Sequence, residues 1–215
     1  MALRKLLVLL IVLPMVGCAT VEYKALEKVG IQKRDILVHR IEKAKEAQQD
    51  TKVQVVSAYQ RLKELVSVDD GGLEARYKKM AKAVARSEKQ VRELDDRIAA
   101  VDKVAGDLFQ EWEDELSLYS NPNLRDASAR NLRTTKARYA VLIRRMRSAR
   151  ARIDPVLYVL QDQTLYLKHN LNARAVSSLQ GEVTRIQDKV AALVSEMERS
   201  INEAEQFVND VKTRR

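Results

Sequence analysis

Apolar and small residues recur along most of this chain at alternating steps of four and three, and that spacing limits the fold more than any other feature. One run reads Leu37, Ile41, Ala44, Gln48, Thr51, Val55, Ala58, Leu62, Leu65. A second passes through Leu73, Tyr77, Met80, Val84, Ser87, Val91, Leu94, Ile98, Val101, Ala105, Leu108 and Trp112. A third holds Leu132, Thr135, Tyr139, Leu142, Met146, Ala149, Ile153, Val156, Leu160, Gln163 and Leu167, and a fourth runs from Val176 through Ile186, Leu193 and Ala204 to Val211. Such a period turns one stripe of a helix toward its partners and predicts left-handed supercoiling. With only six glycines, three prolines and 32% charged residues, the composition suits long thin helices. The expected fold is all-α, an elongated antiparallel coiled-coil bundle of three to four long helices. Polar or small members of the seam, such as Ala44, Gln48, Thr51 and Ser87, are expected to set register or oligomeric state rather than to add stability.

The breaks between runs are written in turn chemistry. Val68-Asp69-Asp70-Gly71-Gly72 ends the first helix and Ser120-Asn121-Pro122-Asn123 the second, with Asn121 as cap and Pro122 at the first helical position. Asp154-Pro155 predicts either a kink in the third run or a cap and a fresh start. The heptad phase fails between Leu167 and Val176, which a turn or a stutter explains; the turn is preferred. Short joints make consecutive helices antiparallel neighbours, and the first two reach about 65–70 Å at 1.5 Å per residue.

The beginning of the chain carries a different signal. Met1-Ala2-Leu3-Arg4-Lys5 precedes an apolar run from Leu6 to Val16, which is too short to span a bilayer and reads as a secretory signal. Its end, Met15-Val16-Gly17-Cys18, resembles the lipobox of bacterial lipoproteins, although Met15 stands where Leu is usual. In that class the signal, here residues 1–17, is removed, and the cysteine receives lipid. Cys18 is then a membrane anchor, and residues 18–215 form a single elongated helical domain facing the periplasm. Ala19 rather than Asp after the cysteine favours the outer membrane. The alternative leaves Cys18 as an ordinary small hydrophobe in a plain signal. An unpaired exported cysteine would be open to oxidation, whereas lipidation removes that liability, and several acyl chains exceed what stable anchoring requires.

No constellation for catalysis stands out, and an enzyme is not expected. No second histidine stands three or four residues from His39 or His169 and nothing there makes a convincing ligand pair, so neither metal nor cofactor nor small-molecule substrate is expected. The charge distribution says more. Residues 18–215 keep 37 of the 39 basic residues and all 30 acidic ones, a net charge of +7. From Asn121 to Arg152 ten cations face one acid, Asp126: Arg125, Arg130, Arg133, Lys136, Arg138, Arg144, Arg145, Arg147, Arg150 and Arg152. On a helix these groups surround the apolar seam rather than forming one stripe. Two readings compete. Neighbouring acids, with Asp107, Glu111, Glu113 and Asp114 facing Arg125 to Lys136, neutralise them; or the helix lies on the phosphates of anionic lipid or lipopolysaccharide, which arginine suits. Export removes nucleic acid as the default partner.

Four stretches, ALEKVGIQKRDILV (25–38), DGGLEARYKKM (70–80), LFQEWEDELSLYSNPNLR (108–125) and PVLYVLQDQTLYLKHNLNARAVSSLQGEV (155–183), together resemble the bacterial lipoprotein family known as domain of unknown function 2959. The resemblance runs from about Tyr23 to the C-terminus. It implies an exported helical lipoprotein and supplies no activity. The family-like stretches are polar, so Lys33, Arg34 and Asp35 are expected to meet His169, Asn170 and Asn172 at one polar, docking-competent end of the rod. The leading expectation is a lipid-anchored scaffold or adaptor acting through its coiled-coil faces on an envelope protein or on a second copy of itself. Binding of anionic lipid or lipopolysaccharide by the third helix is the alternative.

Overall fold

The computed structural model describes residues 32–67 and 72–213, among which every regular element is a helix. Helix α1 is Lys33–Val66, α2 Leu73–Glu115, α3 Pro122–Ala151, α4 Asp154–His169, α5 Ala173–Ser178 and α6 Gln180–Thr213. At 1.5 Å per residue α1 and α2 are about 50 and 65 Å long. Cys18 and the signal sequence lie outside the described residues.

Each joint follows from its local chemistry. Gly72 sits in the left-handed region at φ 89°, which a residue without Cβ adopts freely, and α2 starts at the next residue. The Asn121 carboxamide accepts from the backbone N–H groups of Asn123 and Leu124 (2.9 and 3.4 Å), ahead of Pro122. At Asp154–Pro155 the chain kinks without stopping: Arg152 and Ile153 keep right-handed helical angles, and Leu157 N–H still reaches the Ile153 carbonyl at 2.9 Å. α3 and α4 therefore act as one bent rod. The phase failure after Leu167 is a true turn, closed by the Asn172 carboxamide, which accepts from Ala175 N–H at 3.0 Å.

Cross-helix bonds fix the topology. Lys33–Glu111 and Thr51–Gln90 pair α1 with α2 antiparallel. Lys136–Glu113, Arg147–Asp102 and Gln161–Glu88 run the third rod antiparallel to α2. Lys212–Glu42, Lys45–Glu205 and Lys52–Glu198 bring α6 back along α1, closing a four-membered antiparallel bundle. One end gathers the start of α1, the end of α2, the start of α3 and the end of α6; we call it proximal. The distal end gathers the end of α1, the start of α2, the 170–172 turn and α5.

All nine seam positions of α1 are buried, and so are the central eight of α2 from Met80 to Ala105. The core is wider than one seam, however. Ile36, Ala47, Tyr59, Ala83, Val104, Phe109, Ile143, Leu157 and Val208 flank the seams and are buried as well. Each helix packs against two neighbours and so covers a broader stripe than a two-stranded coil needs. The buried polar members are satisfied inside the chain. Gln48 Nε2 donates to Ser200 Oγ at 2.8 Å, and the Ser200 hydroxyl lies 3.2 Å from Gln48 Oε1. Thr51 and Ser87 donate to the carbonyls of Ala47 and Ala83 (2.7 and 2.9 Å), which lets α1 and α2 approach closely through small residues. Ser200→Ala strands the Gln48 amide in the core and is expected to lower stability by about 1–3 kcal/mol. Adding Gln48→Leu should recover most of that loss; urea unfolding of the single and double variants measures the coupling.

Candidate functional site

The ten cations from Arg125 to Arg152 are the sequence's strongest functional signal, and the bundle sorts them by direction. Those on the flank toward α2 find acids there. Lys136 Nζ meets Glu113 at 2.5 Å and Arg147 meets Asp102 at 2.7 Å. Arg150 spans Asp95 with two bonds (2.6 and 3.0 Å) while holding Asp154 at 2.6 Å, so it ties α2 to the kink. The Asp95 bond, more than the Asp154 bond, strengthens its hold on the proton against the opposing effect of burial. Those on the flank toward α6 also pair: Arg138 with Asp210, and Arg145 with Glu196 at 3.5 Å. Arg125 holds its neighbour Asp126. Of the four acids expected to neutralise Arg125–Lys136, Glu113 alone does so. Asp107 takes Lys103, Glu111 takes Lys33 and Asp114 takes Gln110.

Arg130, Arg133, Arg144 and Arg152 remain. All four are exposed, and none makes an ion pair among the described residues. At about 100° per residue they fall within an arc of roughly 100°, on the side of the third rod opposite its core positions. The basic segment as a whole surrounds the helix, but its uncompensated part is a single outward stripe. Solvent-facing guanidinium groups in a row can engage phosphates bidentately.

Beneath the stripe, Tyr139 anchors the rod. Its ring meets Phe109 and Phe207 edge-on, with centroids 5.4 and 6.4 Å away, and its hydroxyl donates to Asp102 Oδ1 at 2.8 Å. Burial first, and then this bond to a carboxylate, raise its pKa far above that of a free tyrosine.

The expected docking end does not form. Lys33, Arg34 and Asp35 lie at the proximal end, whereas His169, Asn170 and Asn172 lie at the distal end, the length of α1 away, because α1 and α4 run in the same direction. The distal asparagines serve the turn. Asn172 caps α5, Asn170 Nδ2 donates to the Tyr166 carbonyl at 3.0 Å, and His169 is exposed at the last residue of α4. At the proximal end a cleft of about 730 Å³ opens among the helix ends, lined by Lys33, Arg34, Leu37, Glu111 and Trp112 among others. Arg34 Nε is buried there without a hydrogen-bond partner among the described residues, and Trp112 Nε1 donates to Ser128 Oγ at 2.8 Å. The heptad pattern marked Trp112 as a core position and gave no hint of the cleft. Among the described residues there is no cluster of three His, Cys, Asp or Glu that could hold a metal, and no helix long and apolar enough to cross a membrane.

A family model described as Protein of unknown function (DUF2959) matches residues 22–211. No curated protein and no solved structure matches the chain.

Because Tyr139 stays protonated where an unfolded tyrosine ionises, near pH 10, its contribution is complete below that pH and is lost as pH rises above it. Tyr139→Phe is expected to be less stable at pH 7, by about 1.5 kcal/mol for the lost bond to Asp102. Between pH 10 and 11.5 its thermal midpoint should fall less steeply than that of the unaltered chain.

Proposed function

Given that the chain belongs to the DUF2959 family over nearly its whole length, we propose that it is a lipid-anchored protein of the bacterial envelope. Cys18 is its attachment point, the outer membrane its site, and its bundle a scaffold or adaptor. The observation that carries the interaction role is the closed bundle itself. Its heptad seams are spent on one another within a single chain, so a partner meets outward helix faces rather than a free coiled-coil seam. That makes self-association through the seams a weaker form of the reading than recognition of an envelope protein along the rod. Metabolic labelling with palmitate tests the anchor. The unaltered protein should be labelled and sediment with outer membranes, and Cys18→Ser should be unlabelled and soluble. Crosslinking in intact envelopes then tests the adaptor role: a discrete adduct supports it, and its absence across the outward faces overturns it.

The four-arginine stripe favours a second reading, contact with the phosphates of anionic lipid or lipopolysaccharide. Arg130, Arg133, Arg144 and Arg152 changed together to Gln should weaken any salt-sensitive preference for anionic over neutral vesicles at least tenfold. Equal affinity of the unaltered protein for both vesicles would overturn this reading.

A further inference from the structure

The third rod is not the only basic face of the bundle. Residues 73–92, the distal half of α2, carry seven cations and two acids, and residues 93–115 carry two cations and nine acids. The acid-rich half lies beside α3 and supplies its partners. The basic half lies beside α4, whose acidic and basic side chains are Asp154, Asp162, Lys168 and His169. Lys79, Lys82, Arg86, Lys89 and Arg92 are all exposed, and none makes an ion pair among the described residues. Of the two acids in this half, Glu74 holds Lys78 and Glu88 takes Gln161. Glu93, bonded to Arg97, and Asp96 mark the patch's proximal border. The five cations fall on the outer side of α2, within an arc of about 140° at 100° per residue: Arg92 leans toward α4, Lys82 and Lys89 point outward, and Lys79 and Arg86 lean toward the flank that meets α1. Lys79, Lys82, Arg86 and Lys89 follow one another at steps of three and four, the spacing at which like charges repel on a helix. The fold gains nothing from that arrangement.

The register of Gln161 against Glu88 sets α4 level with this patch. There α4 exposes Tyr158 (62%) and Leu165 (63%) on its outward side, while Tyr166 (43%) leans to the flank toward α6. Flexible cations on one helix and exposed aromatic and aliphatic groups on its neighbour, with no enclosing groove, suit a broad yielding surface. Phosphates meet the cations, and amphipathic rings settle at headgroup depth.

We propose that the distal α2–α4 face is a docking surface for an anionic phospholipid bilayer. It shares the chemistry of the anionic-lipid reading of the third rod but uses none of the same residues, so either can fail alone. The test distributes the full-length protein between two vesicle populations, neutral phosphatidylcholine and phosphatidylcholine with one-third phosphatidylglycerol. Any N-terminal anchor is common to every variant, so the ratio between populations reports the basic surfaces. The unaltered protein is expected to favour the anionic vesicles at least tenfold in low salt and to lose that preference in 0.5 M salt. Changing all five cations to Gln should remove most of the preference; Lys82→Gln and Lys89→Gln singly should each remove part, and Lys79, Lys82 and Lys89 changed to Arg should keep it. Tyr158 and Leu165 changed together to Ser should weaken binding while leaving its salt dependence in place. Retention of the full preference by the five-fold Gln variant overturns the proposal, whatever the four-arginine variant does. Tight binding to a soluble polyanion without vesicle preference overturns it too, assigning the face to a polymer.

Discussion

The whole arrangement depends on one requirement: four long amphipathic stripes must bury themselves against each other while the few polar groups among them find partners, and only one antiparallel register does both. Leu37, Ile41, Met80, Leu94, Leu142, Met146, Leu160 and Ile186 are fully enclosed at that register. Sliding one helix by a heptad would leave its apolar stripe in contact but would break the polar match at its centre. Gln48 would lose Ser200, and an unsatisfied amide inside the core costs more than a seam of leucines returns by shifting. The few polar groups therefore choose among alignments that the apolar groups alone leave close in energy.

Register in turn decides electrostatics. Arg147 meets Asp102, and Arg150 meets Asp95, only because the third rod runs back along α2 at a fixed offset. These are mostly exposed pairs and add little stability singly. Their larger effect is to determine which cations stay available. Arginines beside a neighbouring helix are consumed, and those facing outward are not. A segment that reads as uniformly basic becomes a neutralised pair of flanks and one charged stripe.

How much could be read from the chain alone follows from the same distinction between local and tertiary information. Helix positions and their ends were legible because periodicity, the Asn121-Pro122 cap and the Gly72 turn act within a few residues of themselves. The nine seam positions of α1 needed no knowledge of the partner helix. The width of the core was not legible, because burial of Tyr59 or Phe109 depends on a second neighbour that only closure of the bundle supplies. Nor was the location of the polar stretches. Lys33 and His169 both stand in polar stretches, and nothing local says that α1 and α4 run in the same direction, which puts them at opposite ends. The acids that hold the arginines lie earlier along α2 than expected, at Asp95 and Asp102, and others come from α6. Seven cations in twenty residues at the start of α2 stand in the sequence too, overshadowed there by the still more basic segment from Asn121 to Arg152.

The two basic segments differ in what surrounds their charges. In the proximal half of the α2–α3 side, nine acids on one helix stand against a cation-rich partner, an arrangement that assists assembly and would be selected for assembly alone. In the distal half the partner α4 offers almost no acid, and repulsion among Lys79, Lys82, Arg86 and Lys89 works against their own helix. A helix that already has its seam, its turn glycine and its register needs none of these cations to fold. Their grouping in one exposed strip, level with Tyr158 and Leu165, suits a partner outside the chain that is both negatively charged and tolerant of apolar contact. A surface of phosphates over hydrocarbon has both properties.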